Sequence, residues 1–318
     1  MNEFDLIARY FQRPGKVADL GVGDDAALLT PGAGQQLAVS VDMLVAGRHF
    51  FEDVNPYTLG HKSLAVNLSD LAAMGATPRW FTLALALPHA DANWLDAFSR
   101  GMFALAEIHE IELVGGDTTR GPLTISIQVA GEVPRGTALL RGGAQAGDDI
   151  WVSGSLGAAA AAVAARLEGL ALSSSAMGVC QQRLELPSPR VALGQGLRGL
   201  ASACLDISDG LVGDLAHICR RSGLAAQVQA SWVPVAAALA ELPVAGALQL
   251  ALAGGDDYEL CFCAPPAARD AIQRLAAQCD VAVTRVGQMQ TGAPGVQVLD
   301  NAGHAVAPQR AAFDHFRA

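Results

Sequence analysis

The chain has 318 residues, of which 51% are hydrophobic and 16% charged, a composition that supports a large buried core and excludes general disorder. The length favours two domains over one. The formal net charge of -10 at pH 7 argues against a nucleic-acid partner, because binding a phosphate backbone requires clustered Lys and Arg.

The first half of the chain alternates strand-like and helix-like segments. Residues 36–41 and 123–129 are predicted strands because they are rich in β-branched residues and partly alternate. Residues 58–74 and 92–109 carry apolar side chains at helical spacing and are predicted helices. A Gly-rich, charged stretch at 134–149 is the expected domain junction.

The second half opens with a short apolar strand at 149–152 and an alanine-rich helix at 159–170. A further helix is predicted at 190–200, after Pro187 and Pro189. Residues 248–253 and 260–263 flank a Gly-Gly turn. Together the two halves predict an α/β or α+β fold whose strand order the sequence alone leaves open.

Several features predict a cytoplasmic protein without a membrane partner. The N-terminus carries Glu3 and Asp5 and does not resemble a secretory signal. The most apolar stretch, 157–172, contains Arg166 and Glu168 and falls short of the roughly 20 apolar residues of a membrane span. The six cysteines form no C-x-x-C pair and are expected to be reduced thiols.

Six predicted turns after apolar runs place a carboxylate within two residues of glycine or serine. They are 21–25 (GVGDD), 40–42 (SVD), 67–70 (NLSD), 115–119 (GGDTT), 206–210 (DISDG) and 254–259 (GGDDYE). A solvated turn explains any one of them, because Asp and Gly are common turn residues. Several lie in apolar surroundings, where an unpaired carboxylate is costly to bury. The set therefore favours convergence on metal cations.

Oxygen ligands without a His/Cys cluster favour Mg²⁺ over zinc. Consecutive Asp24 and Asp25 would diverge on an extended strand, so at most one needs to be a direct ligand. Asp206 and Asp209 share a face if their segment begins a helix, and Ser208 could then offer its hydroxyl or its backbone N–H to a phosphate. Bridging Mg²⁺ ions would also let an acidic protein bind a polyphosphate. The P-loop motif is absent, and residues 21–26 break G-x-G-x-x-G at its last glycine.

Eight segments together resemble the thiamine-monophosphate kinase family, within the aminoimidazole-ribonucleotide synthetase-like superfamily. They are 4–11, 21–28, 42–50, 62–78, 115–121, 206–211, 254–262 and 313–316, in the family's order over nearly the whole chain. The resemblance implies a two-domain α/β (α+β) fold. Residues 1–136 would form an N-terminal ATP- and Mg-binding domain whose sheet pairs across a homodimer, and residues 147–318 a C-terminal α/β domain completing the active-site cleft.

The resemblance also implies the reaction and its residues. The reaction is transfer of phosphate from ATP, the co-substrate, to thiamine monophosphate, assisted by several Mg²⁺ ions and completing thiamine diphosphate synthesis. The implied metal-binding positions are Asp25, Ser40, Val41, Asp42, Asp70, Asp117, Asp206 and Asp209. The implied ATP contacts are Gly116, Asp117, Arg141 and Ser208, and the implied thiamine-phosphate contacts are His49, Asp256 and Phe313. Asp42, Asp70 and Asp117 are expected to carry catalysis by holding the metal cluster.

Two positions depart from the family pattern, and three have ordinary structural explanations. Val41 stands where the family usually has Thr, so only its backbone carbonyl could reach a metal. Asp256 often aligns with Glu and reaches one methylene less. His49 could be a core or surface histidine, Phe313 a packing anchor and Arg141 a solvated arginine.

The acceptor in this reaction is a phosphate monoester with a second pKa of about 6, so it needs no general base. Direct in-line transfer is therefore expected, with an aspartyl-phosphate route as the mechanistic alternative. The alternative functions are another ATP-dependent synthetase of the same superfamily and a binding protein without turnover, which would lack a metal ligand.

Overall fold

The computed structural model describes residues 3–22 and 26–308, and it places them in two compact units. The first comprises Met1–Leu71 and Ala76–Gly136, and the second Ala72–Gly75 and Thr137–Ala318. Among the described helices, none is long and apolar enough to cross a membrane.

In the first unit, the described residues form one sheet and three helices. In chain order these are α1 (Glu3–Tyr10), β1 (Gln35–Val45), α2 (Pro56–Ala73), β2 (Thr77–Leu87), α3 (Ala92–Ile108), β3 (Glu112–Arg120) and β4 (Thr124–Pro134), with the last two residues of α2 in the second unit. The strand order is β1-β4-β2-β3. β4 is antiparallel to both neighbours, whereas β2 and β3 are parallel.

Strand β1 presents two different surfaces. Its side chains alternate, so that Leu37, Val39, Val41 and Met43 are 45–60% exposed on one face. Ser40 and Asp42 lie on the other face and are partly buried. β1, an edge strand, therefore combines an exposed apolar face with a face that carries Ser40 and Asp42.

Helix α2 has clear start and stop signals. Asn55 precedes it and accepts a hydrogen bond from the backbone N–H of Tyr57 (2.9 Å), with Pro56 at the first helical position. Gly75 follows its end with φ of 65°, a conformation that favours glycine. The predicted apolar side of the helix is confirmed, since Leu64, Leu68 and Leu71 are at most 1% exposed.

The second unit contains a six-stranded sheet and helices. They are β5 (Asp149–Ser153), α4 (Ala158–Glu168), α5 (Ser174–Glu185), α6 (Val191–Gly196), β6 (Ala203–Ile207), α7 (Leu211–Ser222), β7 (Ala225–Gln229), α8 (Val244–Ala253), β8 (Glu259–Ala264), α9 (Arg269–Gln278), β9 (Val283–Gln290) and β10 (Gly295–Leu299), with short 3-10 turns at Ala230–Trp232, Ala237–Leu239 and Pro266–Ala268. The strand order is β10-β7-β9-β5-β8-β6. Among the described strand pairs of this sheet, only β10/β7 is parallel.

The core of the second unit lies against this sheet. Fully buried Ile150 and Val152 of β5 and Leu205 and Ile207 of β6 pack in one cluster with α7. The α/β fold class is confirmed, as are the predicted elements that became β1, β4, β5, α2, α3 and α4. The helix predicted at 190–200 is shorter, because α6 stops at Gly196.

Candidate active site

Ser40 and Asp42 of β1 are held by two residues of α2. The Ser40 hydroxyl donates to Oδ2 of Asp70 at 2.5 Å. The backbone N–H of Asp42 donates to Oδ1 of Asn67 at 3.1 Å. Residues three apart on a helix lie on one side of it, so Asn67 and Asp70 hold alternate residues of β1. The structure therefore brings three proposed site residues together: Ser40, Asp42 and Asp70.

Asn67 is the residue of this site that sequence reasoning missed. Its side chain is fully buried, and its Nδ2 donates to the carbonyl of Ser63 at 3.0 Å. Asn67 thus fixes the strand backbone beside the Asp42 carboxylate. The sequence did contain a signal, an asparagine in an apolar helix one turn before Asp70, because a buried side-chain amide requires hydrogen-bond partners.

The oxygen atoms of Ser40, Asp42 and Asp70 fit a hard cation such as Mg²⁺. Within residues 3–22 and 26–308, no group of three or more His, Cys, Asp or Glu side chains is placed to hold a metal ion. Hydroxyl and amide oxygens can add to the carboxylate ligands of such a site. Mg²⁺ in proteins is commonly bound by one or two carboxylates together with substrate phosphates, so the donor set is suitable for metal held jointly with a substrate.

Asp117 is placed apart from this group. In the sheet register Asp117 lies opposite Ala84, Ala84 opposite Ser126, and Ser126 opposite Met43. Asp117 is therefore exposed on the face that carries Met43, and its strand is at the other edge of the sheet from β1. The structure does not bring it to Asp42 within the first unit.

Gly116 has a packing reason to be glycine. A Cβ atom there would lie 1.9 Å from the carbonyl oxygen of Leu83. The approach coincides with a register shift between β2 and β3. Val41, the departure from the family pattern, pairs with Gln128 of β4 and points its side chain away from the Ser40 face.

His49 lies in the turn that follows β1. Its Nδ1 accepts a hydrogen bond from the backbone N–H of Val45 at 3.0 Å. The neutral ring therefore carries its proton on Nε2, which makes that nitrogen a donor. The arrangement suits recognition of an acceptor oxygen such as that of a phosphate.

The segment 206–210 is a strand end and a turn. Asp206 belongs to β6 and is 6% exposed, whereas Asp209 precedes α7, which begins only at Leu211. The segment does not begin a helix at Asp206, so the condition under which Asp206 and Asp209 would share a helix face is not met. Gly210, with φ of 117°, separates the strand from the helix.

Asp214 of α7 closes this turn. Its Oδ2 accepts hydrogen bonds from the backbone N–H groups of Ser208, Asp209 and Gly210 at 3.0–3.1 Å. Desolvation raises the pKa of Asp214 to about 6, and the three hydrogen bonds act in the opposite direction. The Ser208 N–H is thus used within the protein, which leaves its hydroxyl as the group that could meet a phosphate.

The loop 254–258 lies against the same turn. The backbone N–H of Asp256 donates to the carbonyl of Ser208 at 2.9 Å, and that of Tyr258 to the carbonyl of Ile207 at 2.9 Å. Asp256 and Tyr258 have φ of 65° and 50°, unusual for residues with side chains. The Tyr258 hydroxyl lies 3.3 Å from Oδ1 of Asp256. The structure therefore groups Asp206, Ser208, Asp209 and Asp256 in the second unit.

Arg141 is exposed in the segment beside β6, where the carbonyl of Leu140 accepts from the backbone N–H of Cys204 (2.8 Å). Desolvation lowers the pKa of His217 on α7, and the charges of Arg220 and Arg141 lower it further, whereas Asp209 opposes them. The charges of Arg141 and Asp209 thus both affect the pKa of His217 on α7. Two predicted site residues, Asp25 and Phe313, lie outside the described residues.

Comparison with known families defines the class of protein. Residues 23–133 match the AIR synthase related protein, N-terminal domain, and residues 145–298 match the AIR synthase related protein, C-terminal domain. These matches place the chain among the two-domain AIR synthase related proteins.

Individual relatives narrow the class. The chain is 46% identical over 320 residues to thiamine-monophosphate kinase of Salmonella typhimurium, covering 99% of this chain and 98% of that protein. The crystal structure of thiamine-monophosphate kinase from Stenotrophomonas maltophilia K279a matches with a TM-score of 0.86 and 49% identity, covering 95% of this chain and 96% of that one. AaThiL complexed with AMPPCP and TMP matches with a TM-score of 0.78 and 29% identity, covering 98% and 96%. The chain belongs to the thiamine-monophosphate kinase family.

Proposed function

We propose that the chain phosphorylates thiamine monophosphate with ATP, forming thiamine diphosphate in the final step of its synthesis. The observation that carries this proposal is the match to thiamine-monophosphate kinases, which reaches 46% identity and covers 99% of the chain. The ligands of AaThiL, AMPPCP and TMP, correspond to an ATP analogue and this acceptor. A different synthetase of the superfamily has less support, because relatives of 40–46% identity carry the kinase name.

The oxygen-rich groups supply the proposed roles. Ser40, Asp42 and Asp70 would hold Mg²⁺ in the first unit, with Asp117 at the other sheet edge as a further metal and ATP position. Metal positions from the second unit are Asp206 and Asp209; Gly116, Arg141 and the Ser208 hydroxyl would contact ATP. His49 and Asp256 would contact thiamine phosphate. Asp25, Val41 and Phe313 complete the set implied by the resemblance.

The chemistry follows from the charges. Mg²⁺ bound here would neutralise the phosphate groups and stabilise the charge of the transferred phosphoryl group. The acceptor phosphate is largely ionised at neutral pH, so no side chain has to remove a proton from it. The task of the protein is then to position two anions in line. We therefore infer direct transfer without a phosphoenzyme.

The homodimer is part of the proposal. β1 is an edge strand, and Leu37, Val39, Val41 and Met43 form an exposed apolar face on it. Such edges are commonly paired or covered, and a second copy of the chain would do so. A cytoplasmic location is also proposed, and the free thiols of all six cysteines fit a reducing compartment.

The direct test is ADP release by the purified protein with Mg²⁺, with and without thiamine monophosphate, and chromatographic identification of thiamine diphosphate. Asp42→Asn serves as the inactive variant and Asp96→Asn as the matched control, because Asp96 is an exposed carboxylate whose partner is Arg100 on the same helix. If the rate of ADP release were the same with and without thiamine monophosphate, the result would favour another synthetase instead.

A further inference from the structure

The turn between β6 and α7 has all three of its consecutive backbone N–H groups bound to one carboxylate oxygen. Oδ2 of Asp214 accepts from Ser208 (3.1 Å), Asp209 (3.0 Å) and Gly210 (3.1 Å). Successive N–H groups that converge in this way form a concave anion-binding nest. Asp214 is 6% exposed, so the nest is occupied by the protein's own buried carboxylate.

The carbonyl side of the same turn is also fixed. Ser208 accepts from the backbone N–H of Asp256, and Ile207 accepts from that of Tyr258, both at 2.9 Å. Gly255 lies so close that a Cβ atom would be 2.4 Å from the carbonyl oxygen of Ser208. The backbone of the turn is therefore clamped from two sides, by α7 and by the loop before β8.

We propose that Asp214 is a positioning residue for the reaction, which orients the Ser208 hydroxyl and the Asp209 carboxylate towards nucleotide and metal by holding the backbone from which they project. The inference rests on the proposed function, in which Ser208 contacts ATP and Asp209 binds Mg²⁺. Asp214 also fills the nest, so phosphate must be met by side chains of the turn rather than by its N–H groups.

The use of a single oxygen sharpens the test. All three hydrogen bonds end on Oδ2, so the carbonyl oxygen of Asp214→Asn can accept them without the charge. Asp214→Ala removes the acceptor, and Asp214→Glu keeps the charge but moves the oxygens by one methylene. If positioning is the role, Asn should keep kcat within about threefold, whereas Ala and Glu should lose about ten- to hundredfold, the range for small misplacements near reacting groups.

Two readouts separate positioning from general stability. Formate should partly restore kcat in Asp214→Ala, because a small carboxylate can re-enter the nest. Mn²⁺ affinity, measured by electron paramagnetic resonance without substrates, should fall in Ala and Glu but not in Asn. The control is Asp148→Ala, another buried aspartate that caps a turn of this unit, accepting from Gln145 (2.8 Å) and Ser202 (2.5 Å). It should lower the melting temperature and leave kcat within about twofold.

Equal losses in Asn and Ala would overturn the proposal, because charge and not the acceptor would then matter. A folded Ala variant with wild-type kcat and Mn²⁺ affinity would overturn it as well. If Asp214→Ala does not fold, the kcat and Mn²⁺ affinity of Asp214→Asn and Asp214→Glu are compared in its place. Equal values in these two variants would then overturn the proposal. Absence of thiamine-monophosphate-dependent ADP release in the wild type would count against the proposed function, while the Mn²⁺ series would still test Asp214.

Discussion

Glu259 is the centre of a buried ionic network, and its removal should destabilise the second unit. The side chain is 2% exposed and receives two bonds from Arg190, Nε to Oε2 at 2.6 Å and Nη2 to Oε1 at 2.5 Å. Ser153 Oγ donates to Oε2 at 2.6 Å and accepts from the backbone N–H of Leu260 at 2.8 Å. Glu259→Gln would leave the Arg190 guanidinium without its counter-charge and place an amide N–H against donors.

The expected loss in the free energy of unfolding follows from these contacts. Breaking a buried ion pair by removing one partner costs about 3–5 kcal/mol, and the side chain of Arg190 is only 14% exposed. For a unit of this size, that corresponds to a fall in melting temperature of about 6–20 °C. The double variant Glu259→Gln/Arg190→Met should recover much of the loss, because the uncompensated charge is gone.

Urea unfolding followed by circular dichroism measures the effect. The matched control is Asp96→Asn, which breaks the Asp96–Arg100 pair, with side chains 59% and 61% exposed. That pair should contribute less than about 1 kcal/mol. A Glu259→Gln loss no larger than the control's would refute the reasoning, and so would a double variant less stable than the single one.

Four further predictions concern the site, the surface and pH. Asp42→Asn should fold normally but lose two or more decades of kcat, about the effect of removing an electrostatic stabiliser, and raised Mg²⁺ should recover only part; near-normal steady-state turnover at millimolar Mg²⁺ would contradict this role. Val39→Asp, which places a charge in the exposed apolar face, should convert the proposed dimer to a monomer in light scattering, while Val244→Asp, at an 86% exposed site off this face, should not. Desolvation raises the pKa of Asp257 well above its ordinary value, so folding disfavours its charged form and stability is lost as pH rises above the unfolded-state pKa. Asp257→Asn should therefore gain stability relative to wild type as pH rises from about 4 to 7 in urea titrations, and a pH-independent difference would exclude the effect. Phe313→Ala should raise KM for thiamine monophosphate between a few-fold and about thirtyfold and leave KM for ATP within about twofold; equal changes in both would make Phe313 a packing residue.

Local patterns predicted the elements whose periodicity is strong. The helical spacing of apolar residues marked α2, and alternation marked β1, because each periodicity reflects one buried side. The start of α7 was not predictable in this way. It depends on Gly210 and on the carboxylate of Asp214, which accepts hydrogen bonds from the preceding turn. A hydropathy pattern does not reveal such hydrogen bonds.

The residue types of the site were available from the sequence, but their grouping was not. Ser40, Asp42 and Asp70 converge because α2 lies against β1. Asp117 occupies the opposite sheet edge because β3 pairs only with β2 among the described strands. Strand order is set by long-range pairing and side-chain packing. Similar aspartate-containing motifs can therefore lie on different faces of one sheet.

The alternation of side chains along β1 constrains the length of this strand. From Leu37 to Met43, the exposed apolar side chains alternate with Ala38, Ser40 and Asp42 on the opposite face. Deleting or inserting one residue inside the strand would exchange the two sets beyond that point, turning methyl groups towards Asn67 and a carboxylate outwards. A change in length outside Gln35–Val45 would leave this alternation intact, whereas one inside the strand would disrupt both faces at once.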